Sequence, residues 1–146
     1  MKVLILVTAF NVENFIEKVI LRLPDKLKKS QLDFEILIID DASNDNTLKE
    51  IISIRDKYKD HKITCLSNKV NLGYGGNQKI GYHYAIKNNF DYVILLHGDG
   101  QYAPEKILDM LDPLINNNVD AVQGSRMIKK IDALKGKMPI YKFIGN

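Results

Sequence analysis

The chain has 146 residues, enough for one domain with a substantial core, and its 45% hydrophobic and 27% charged residues are typical of soluble globular proteins. Its net charge of +3 is too small to indicate a nucleic-acid partner, and the single cysteine, Cys65, excludes an internal disulfide and fits a cytoplasmic location. No apolar run reaches the roughly 20 residues of a membrane helix, and we expect no signal peptide before the first predicted strand.

The first part of the chain alternates apolar runs with helical periodicity. Strands are predicted for Lys2–Thr8 and Phe34–Ile39, because both runs are continuous and rich in β-branched residues. Between them lies the apolar stripe of an amphipathic helix that ends at Pro24, made of Val12, Phe15, Ile16, Val19, Ile20 and Leu23. Thr47 and Glu50 have the spacing of a capping box, which predicts a helix from there to about residue 57.

The second part continues the alternation. A short strand is predicted for Lys62–Leu66 and a helix for Asn77–Lys87, with a glycine-rich loop between them. Tyr92–Leu96 is apolar without alternation, which predicts a strand buried on both faces. A helix follows at Pro104–Asn116 and a fifth strand at Asp120–Gln123. This alternation predicts an α/β fold with a mostly parallel sheet and helices on both faces.

Polar side chains follow each predicted strand. They are Thr8 and Asn11 after the first, Asp40 and Asp41 after the second, Asn71 after the third, His97, Asp99 and Gln101 after the fourth, and Arg126 after the fifth. Because the carboxyl ends of parallel strands meet at one edge of a sheet, a single cleft can receive them all. A carboxylate such as Asp41 can accept hydrogen bonds there from ribose hydroxyls or from an N–H of a base.

His97, Asp99 and Gln101 stand at alternate positions in a turn that also contains glycines. If the turn stays extended, the three side chains project to one side, which predicts a divalent-metal site. An imidazole suits Mn²⁺ better than Mg²⁺. The alternative is a polar turn that caps the next helix.

Three glycines, Gly73, Gly75 and Gly76, are predicted to precede a helix N-terminus, where backbone N–H groups can bind an anion. They do not form a dinucleotide fingerprint, because that motif follows the first strand and this loop follows the third. The pattern of a P-loop and that of a nucleophile elbow do not occur in the sequence.

Together these segments resemble the family-2 glycosyltransferases, whose fold is the Rossmann-like, three-layer GT-A fold that binds nucleotide-diphospho-sugars. The resemblance covers nearly the whole chain and comes nearest to the dolichyl-phosphate-mannose-synthase-like branch. It is carried by residues 8–13, 39–47, 71–76, 97–105 and 124–126.

The resemblance implies roles for particular residues. A nucleotide-diphospho-sugar donor is expected at Thr8, Asn11, Glu13, Asp40, Asp41, Asn71, Gly73, Gly76, Asp99 and Arg126. Asp99 and Arg126 are expected to be catalytic, with Arg126 on a phosphate. His97, Asp99 and Gln101 are expected to hold Mn²⁺ or Mg²⁺ on the diphosphate. His97 stands where the family usually has an aspartate, which leaves its role as a ligand open.

The activity that the resemblance implies is metal-assisted, inverting transfer of a sugar to a saccharide or a polyprenyl phosphate, as in the synthesis of cell-envelope polysaccharides or glycolipids. Two other hypotheses stay open: a module that binds a nucleotide sugar without turnover, and a nucleotidyltransferase of related fold. His97 in place of the usual aspartate and the missing C-terminal part of the family pattern favour the binding module, whereas the retained Asp41, Asp99, Gln101 and Arg126 favour the enzyme.

The resemblance also predicts the domain organisation. Residues 1–126 are expected to form the donor-binding domain, and residues 127–146 the start of an acceptor region that longer family members complete, so the chain resembles a C-terminally truncated member. Residues 127–146 contain five lysines, one aspartate and several interleaved apolar residues. This basic amphipathic tail predicts peripheral contact with an anionic membrane at its cytoplasmic face.

Overall fold

A computed structural model describes residues 1–29, 32–116 and 119–125 of the chain. Its sheet has four parallel strands, in the order β3-β2-β1-β4. The strands are β1 Lys2–Ala9, β2 Asp33–Asp40, β3 Ile63–Ser67 and β4 Tyr92–His97. Each matches its predicted range to within two residues at either end. β1 and β2 are apolar runs buried along most of their length, whereas the edge strand β3 has no fully buried residue. In the other edge strand, β4, only Ile94 and Leu96 are buried and the remaining residues are half-buried, so the predicted burial of β4 on both faces is incomplete.

The predicted fifth strand is wrong, since residues 119–125 contain no strand. Ala121 and Val122 are the only two apolar residues between Asp120 and Gln123, and of the four only Val122 is even partly buried. So short an apolar run gains little by joining a sheet.

Helices connect the strands. They are α1 Ile16–Leu21, α2 Lys26–Lys29, α3 Thr47–Lys57, α4 Gly73–Lys87 and α5 Ile107–Asn116, and a 3-10 turn at Pro104–Lys106 leads into α5. Pro104 occupies the first turn, as predicted. The α4 helix begins four residues earlier than expected and takes the glycine-rich segment into its first turn.

Two local predictions near α1 and α3 are wrong, and the reason is a contact between their loops. Thr47 is the first residue of α3 instead of its cap, and its buried hydroxyl accepts a hydrogen bond from the Val12 N–H at 2.8 Å. Val12 is thereby held in a turn before α1, and Phe15, which the helical stripe had placed in the core, is 50% exposed.

The helices cover both faces of the sheet, which confirms the predicted three-layer arrangement. On one face, Ala85 of α4 packs with Leu4, Leu6, Leu37 and Ile39. On the other lie α1 and α3, where the Cys65 thiol contacts the carbonyl oxygen of Ile51 at 3.7 Å. The chain therefore changes faces between β3 and β4, and the adjacent strands β1 and β4 form a topological switch point, where such sheets bind ligands.

The α4 helix approaches β1 so closely that a glycine is required at their contact. A Cβ atom added at Gly81 would lie 2.9 Å from Cγ of Leu6, which is fully buried. We expect Gly81→Ala to lower the free energy of unfolding by about 1–3 kcal/mol, because overpacking outweighs the helix propensity of alanine. Urea unfolding measures this. Gly75→Ala in the same helix is the matched control, since its Cβ meets open space and a loss of stability there would contradict the packing argument.

Contacts divide the chain into two compact units, residues 1–108 and residues 109–146. The predicted boundary after residue 126 lies outside the described residues and stays a prediction. Across the described ranges, no helix has the length and apolar character needed to cross a membrane.

Candidate active site

The carboxyl ends of β1, β2 and β4, together with the first turns of α4, surround a cavity of about 320 Å³. This volume lies at the lower end of the range of small-molecule sites. Six of the predicted site residues line the cavity: Thr8, Asp41, Asn71, Gly73, His97 and Asp99. Thr8 and His97 are register partners on β1 and β4, so the cavity opens at the switch point of the sheet. The geometry thus agrees with the predicted cleft at this edge for these six residues, whereas Asn11, Asp40 and Gln101 do not line it.

Asp41 is fixed in the wall of this cavity and is only 3% exposed. Its Oδ1 accepts hydrogen bonds from Asn68 Nδ2 at 2.7 Å and from the Leu72 N–H at 2.9 Å. The backbone N–H of Asp41 donates to the Ala9 carbonyl at 2.9 Å. These bonds tie the end of β2 to β1 and to the start of α4, so the carboxylate is oriented before any ligand arrives.

Asp40 faces elsewhere, although it was predicted to bind the donor. Its carboxylate accepts hydrogen bonds from the Ser43 hydroxyl and from the Ser67 hydroxyl, the latter at 3.2 Å. It lines a second cavity of about 560 Å³ beside α3, which contains none of the other predicted site residues. The larger cavity therefore contains Asp40 alone among the predicted site residues. The hydrogen bonds of Asp40 mainly stabilise the loop that follows β2.

Asn11 and Glu13 also hold this loop instead of lining the smaller cavity. Asn11 Oδ1 accepts the Asn44 N–H at 2.9 Å, and the Asn11 N–H donates to the Ser43 hydroxyl at 2.9 Å. Glu13 Oε2 accepts both the backbone N–H and Nδ2 of Asn46, at 2.8 and 2.9 Å. Contact of Asn11 or Glu13 with a donor stays a prediction, while their observed bonds join the loops after β1 and β2.

The start of α4 forms the floor of the cavity. Gly73 is the first helical residue and has a φ of 72°, a left-handed conformation that favours glycine. Its N–H donates to Asn71 Oδ1 at 2.9 Å. Gly76 does not line the cavity, and a Cβ there would lie 2.7 Å from Cβ of Leu72. The glycines therefore make the helix start compact instead of forming a loop in front of it.

His97 lies in a small aromatic cluster that sequence reasoning missed. Its Nε2 is 2.7 Å from the Tyr74 hydroxyl, and its ring centroid lies 4.8 Å from that of Tyr74 and 4.3 Å from that of Tyr102. Burial lowers the pKa of His97 and outweighs the nearby Asp99 carboxylate, which raises it, so the imidazole is neutral near pH 7. Tyr74 is 23 residues away in sequence, and no local pattern marks it as a partner.

The turn after β4 is not extended, so the predicted common direction of its three polar side chains is wrong. The Gly100 N–H donates to the His97 carbonyl at 3.3 Å, and Gly100 has a φ of 72°. Asp99 Oδ1 accepts the Gln101 N–H at 2.9 Å. His97 and Asp99 line the cavity, whereas Gln101 is exposed and does not.

This arrangement fits a cation that is shared with a ligand. Within the described ranges, no group of three His, Cys, Asp or Glu side chains is close enough to hold a metal. Asp99 supplies a hard anionic oxygen, and Nε2 of His97 is engaged by Tyr74. Mg²⁺ sites at nucleotides combine one or two carboxylates with phosphate oxygens and water, which is compatible with Asp99 as the protein ligand. Ligation by His97 and Gln101 stays a prediction.

Arg126 and the basic tail at 127–146 lie outside the described residues. The predicted contact of Arg126 with phosphate and the predicted contact of the tail with a membrane therefore stay predictions.

Comparison with curated proteins finds relatives among enzymes that act on lipid phosphates. The chain is 30% identical over 152 residues to a UDP-N-acetylglucosamine–dolichyl-phosphate N-acetylglucosaminyltransferase of Methanococcus voltae, covering 97% of this chain and 58% of that protein. It is 29% identical over 130 residues to a dolichyl-phosphate beta-glucosyltransferase of Dictyostelium discoideum, covering 84% and 39%. The chain thus spans about half the length of the curated relatives that it matches.

Solved structures show the same fold. A mannosyltransferase from Pyrobaculum calidifontis in complex with GDP-Man and Mn²⁺ superposes with a TM-score of 0.58 at 18% identity, over 73% of this chain and 30% of that one. TarS 1-349 of S. aureus in complex with UDP superposes with a TM-score of 0.59 at 21% identity, over 88% and 40%. These similarities support the GT-A fold. The model of glycosyl transferase family 2 matches residues 4–143, and the chain belongs to that family.

Proposed function

We propose that this protein transfers a sugar from a nucleotide-diphospho-sugar to an acceptor, with a divalent cation at Asp99. The observation that carries the proposal is the cavity at the β1/β4 switch point, which is lined by both Asp41 and Asp99 in a member of glycosyl transferase family 2. Either carboxylate alone would be a weak indication. The two together in one cavity, after strands that β1 separates, match the two ends of a nucleoside diphosphate.

The cavity is polar in a way that orients such a donor. At the β2 end, the Asp41 carboxylate can accept hydrogen bonds from ribose hydroxyls or a base N–H. Asp99 lies at the β4 end, and the α4 N-terminus, whose partial positive charge favours phosphate, also lines the cavity. Two carboxylates in one cavity repel a diphosphate, so binding of the diphosphate requires a cation between it and a carboxylate.

A divalent cation on Asp99 would neutralise the charge that develops on the leaving diphosphate. Asp99 holds its own orientation through the Gln101 N–H, and the buried Asp41 keeps the nucleoside end in place. The bond from the anomeric carbon to the diphosphate breaks as the acceptor oxygen attacks from the opposite face, which inverts the configuration. Mn²⁺ is preferred over Mg²⁺ if the imidazole of His97 takes part.

The acceptor we propose is a lipid phosphate. The Methanococcus voltae and Dictyostelium discoideum relatives carry names that specify dolichyl phosphate, and this supports the choice over a saccharide. The oxyanion of a lipid phosphate can attack by itself, so no protein base is needed. We propose that the tail at 127–146 brings the protein to the cytoplasmic face of an anionic membrane, which sedimentation with anionic and neutral liposomes tests.

Product analysis tests the proposed function. The full-length protein is incubated with UDP-GlcNAc, UDP-glucose or GDP-mannose and polyprenyl phosphate, with Mn²⁺ or with chelator, and the lipid product is identified by mass spectrometry. We expect the sugar to be attached to the polyprenyl phosphate only when the cation is present. The configuration at its anomeric carbon should be inverted relative to the nucleotide sugar. A nucleotidyl product would support the nucleotidyltransferase instead. Tight binding of the nucleotide sugar with neither transfer nor hydrolysis would support the binding module.

A further inference from the structure

Asn77, in the second turn of α4, has one buried atom that lacks a partner. The residue is 1% exposed, and its Nδ2 donates to the Ile39 carbonyl at 3.1 Å. Its Oδ1 has no hydrogen-bond partner, which distinguishes it from every other buried side-chain nitrogen and oxygen of the described residues. Exchanging the oxygen and the nitrogen would set Oδ1 against the Ile39 carbonyl, so the orientation of the amide is fixed.

An unpaired buried oxygen of this kind calls for an explanation. Folded proteins pair nearly all their buried polar side-chain atoms, because a buried atom without a partner has lost its hydrogen bonds to water and gained none in return. Asn77 also lines the cavity of about 320 Å³ that holds Asp41 and Asp99. A molecule bound in this cavity can therefore supply the missing donor.

The position of Asn77 within the cavity limits which part of a ligand can donate this hydrogen bond. Asn77 is anchored on Ile39, near the end of β2 and two residues before Asp41. Strand β1 separates β2 from β4, so Asn77 shares the β2 end of the cavity with Asp41, away from Asp99. A fully ionised phosphate only accepts hydrogen bonds, and two acceptors at this end disfavour it. A nucleoside offers both ribose O–H and base N–H groups, and these match two acceptors.

We propose that Asn77 Oδ1 accepts a hydrogen bond from the nucleoside part of the nucleotide-diphospho-sugar, which makes Asn77 a specificity-determining residue of the nucleotide site. The inference rests on the proposed function and adds a residue that the sequence marks only as part of a helix. It also assigns the two ends of the cavity: nucleoside against β2, diphosphate against β4.

The test compares Asn77 with Asn88, the residue that caps the C-terminus of α4, in the full-length protein. Asn88 lies at the other end of α4, and its Nδ2 also donates to a backbone carbonyl, that of Tyr84, at 2.8 Å. Calorimetry measures the binding of UDP, GDP and inorganic pyrophosphate, each with Mn²⁺. We expect Asn77→Ala to weaken binding of the preferred nucleoside diphosphate about tenfold, the value of one neutral hydrogen bond, and to leave pyrophosphate unchanged. Asn88→Ala should change neither affinity.

Thermal unfolding of each variant checks that it is folded, and Asn77→Leu, of similar volume, replaces Asn77→Ala if that variant does not fold. Unchanged affinity for the nucleoside diphosphate would overturn the inference, and so would an equal loss for pyrophosphate, which would mean general damage to the cavity. Wild-type protein that binds no nucleoside diphosphate with or without Mn²⁺ would overturn the proposed function itself. That result appears before any variant is compared, so the two failures are distinct.

Discussion

Asp99→Ala should lower the affinity for a nucleoside diphosphate at saturating Mn²⁺ by at least about a hundredfold, or roughly 3 kcal/mol. Asp99 is the hard anionic oxygen at the β4 end of the cavity, and a diphosphate cannot approach two carboxylates without a shared cation. The metal dependence should disappear together with the affinity, so added chelator should weaken binding to the wild type and leave the variant unchanged. Calorimetry with and without chelator measures both effects.

Asp99→Asn separates the charge of this side chain from its structural role. The amide oxygen can still accept the Gln101 N–H that Asp99 Oδ1 accepts at 2.9 Å, so the turn should persist while the anionic ligand is lost. We expect its affinity to be close to that of the alanine variant. Asp56→Ala is the control, since Asp56 is exposed at the end of α3 and paired with the adjacent Arg55. Wild-type affinity in Asp99→Asn would sink the metal assignment.

The sequence was sufficient for the four strands of the sheet and for the position of the cavity. The strands are mainly apolar runs, and parallel pairing brings the residues after each strand to one edge. Asp41 follows β2 directly and Asp99 is the second residue after β4, so their place at this edge is a consequence of the strand ends.

Sequence reasoning failed where a side chain serves a residue far along the chain. Thr47 has the spacing of a helix cap, yet its hydroxyl binds Val12, 35 residues away. Asn11 bonds to Ser43 and Asn44 across the loop, contacts that the sequence does not reveal, while its contact with a donor stays a prediction. Such contacts depend on which loops the fold places side by side, and short-range spacing does not encode that. Asn11 also has a φ of 52°, a conformation that asparagine adopts more easily than most residues.

A second failure concerns the glycines at the start of α4. Glycine has a low helix propensity, which predicts a loop at residues 73–76, but the helix begins at Gly73. A side chain at Gly76 would meet Cβ of Leu72, four residues earlier, so the compact start of the helix requires glycine there. The buried Oδ1 of Asn77 depends on how α4 packs on β2, which the sequence alone does not show.

Away from the cavity, a buried carboxylate stabilises the fold. Glu35 on β2 is 4% exposed, and its side chain accepts hydrogen bonds from the Tyr84 hydroxyl, from Thr64 Oγ1 at 2.9 Å and from Lys62 Nζ at 2.9 Å. Burial alone would raise the pKa of Glu35, but the bonds from Tyr84, Lys62 and Thr64 together outweigh it and hold the pKa below its ordinary value. The charged form is therefore the one that the fold stabilises.

Glu35→Ala should lower the free energy of unfolding by about 3 kcal/mol near pH 7, because it leaves the Tyr84 and Thr64 hydroxyls without their acceptor. Urea unfolding measures the loss. Since the folded pKa of Glu35 is depressed, the stabilisation by its charge is present above the ordinary glutamate pKa and is lost as pH falls through the folded value. The deficit of Glu35→Gln relative to wild type should therefore shrink as the pH falls below the ordinary glutamate pKa of about 4.3.

Glu17→Gln is the matched control for this network. Glu17 also accepts from a lysine and a tyrosine, Lys57 at 2.7 Å and Tyr58 at 2.9 Å, and these bonds likewise hold its pKa below the ordinary value. Its side chain is 40% exposed, so water replaces the lost partners and the same substitution should cost much less. Equal losses in the free energy of unfolding for the two variants would mean that burial does not increase the stabilisation by the hydrogen bonds of Glu35. A larger loss at Glu35 that fades in acid would show that the buried charge on β2 stabilises the α4 face of the sheet through Tyr84.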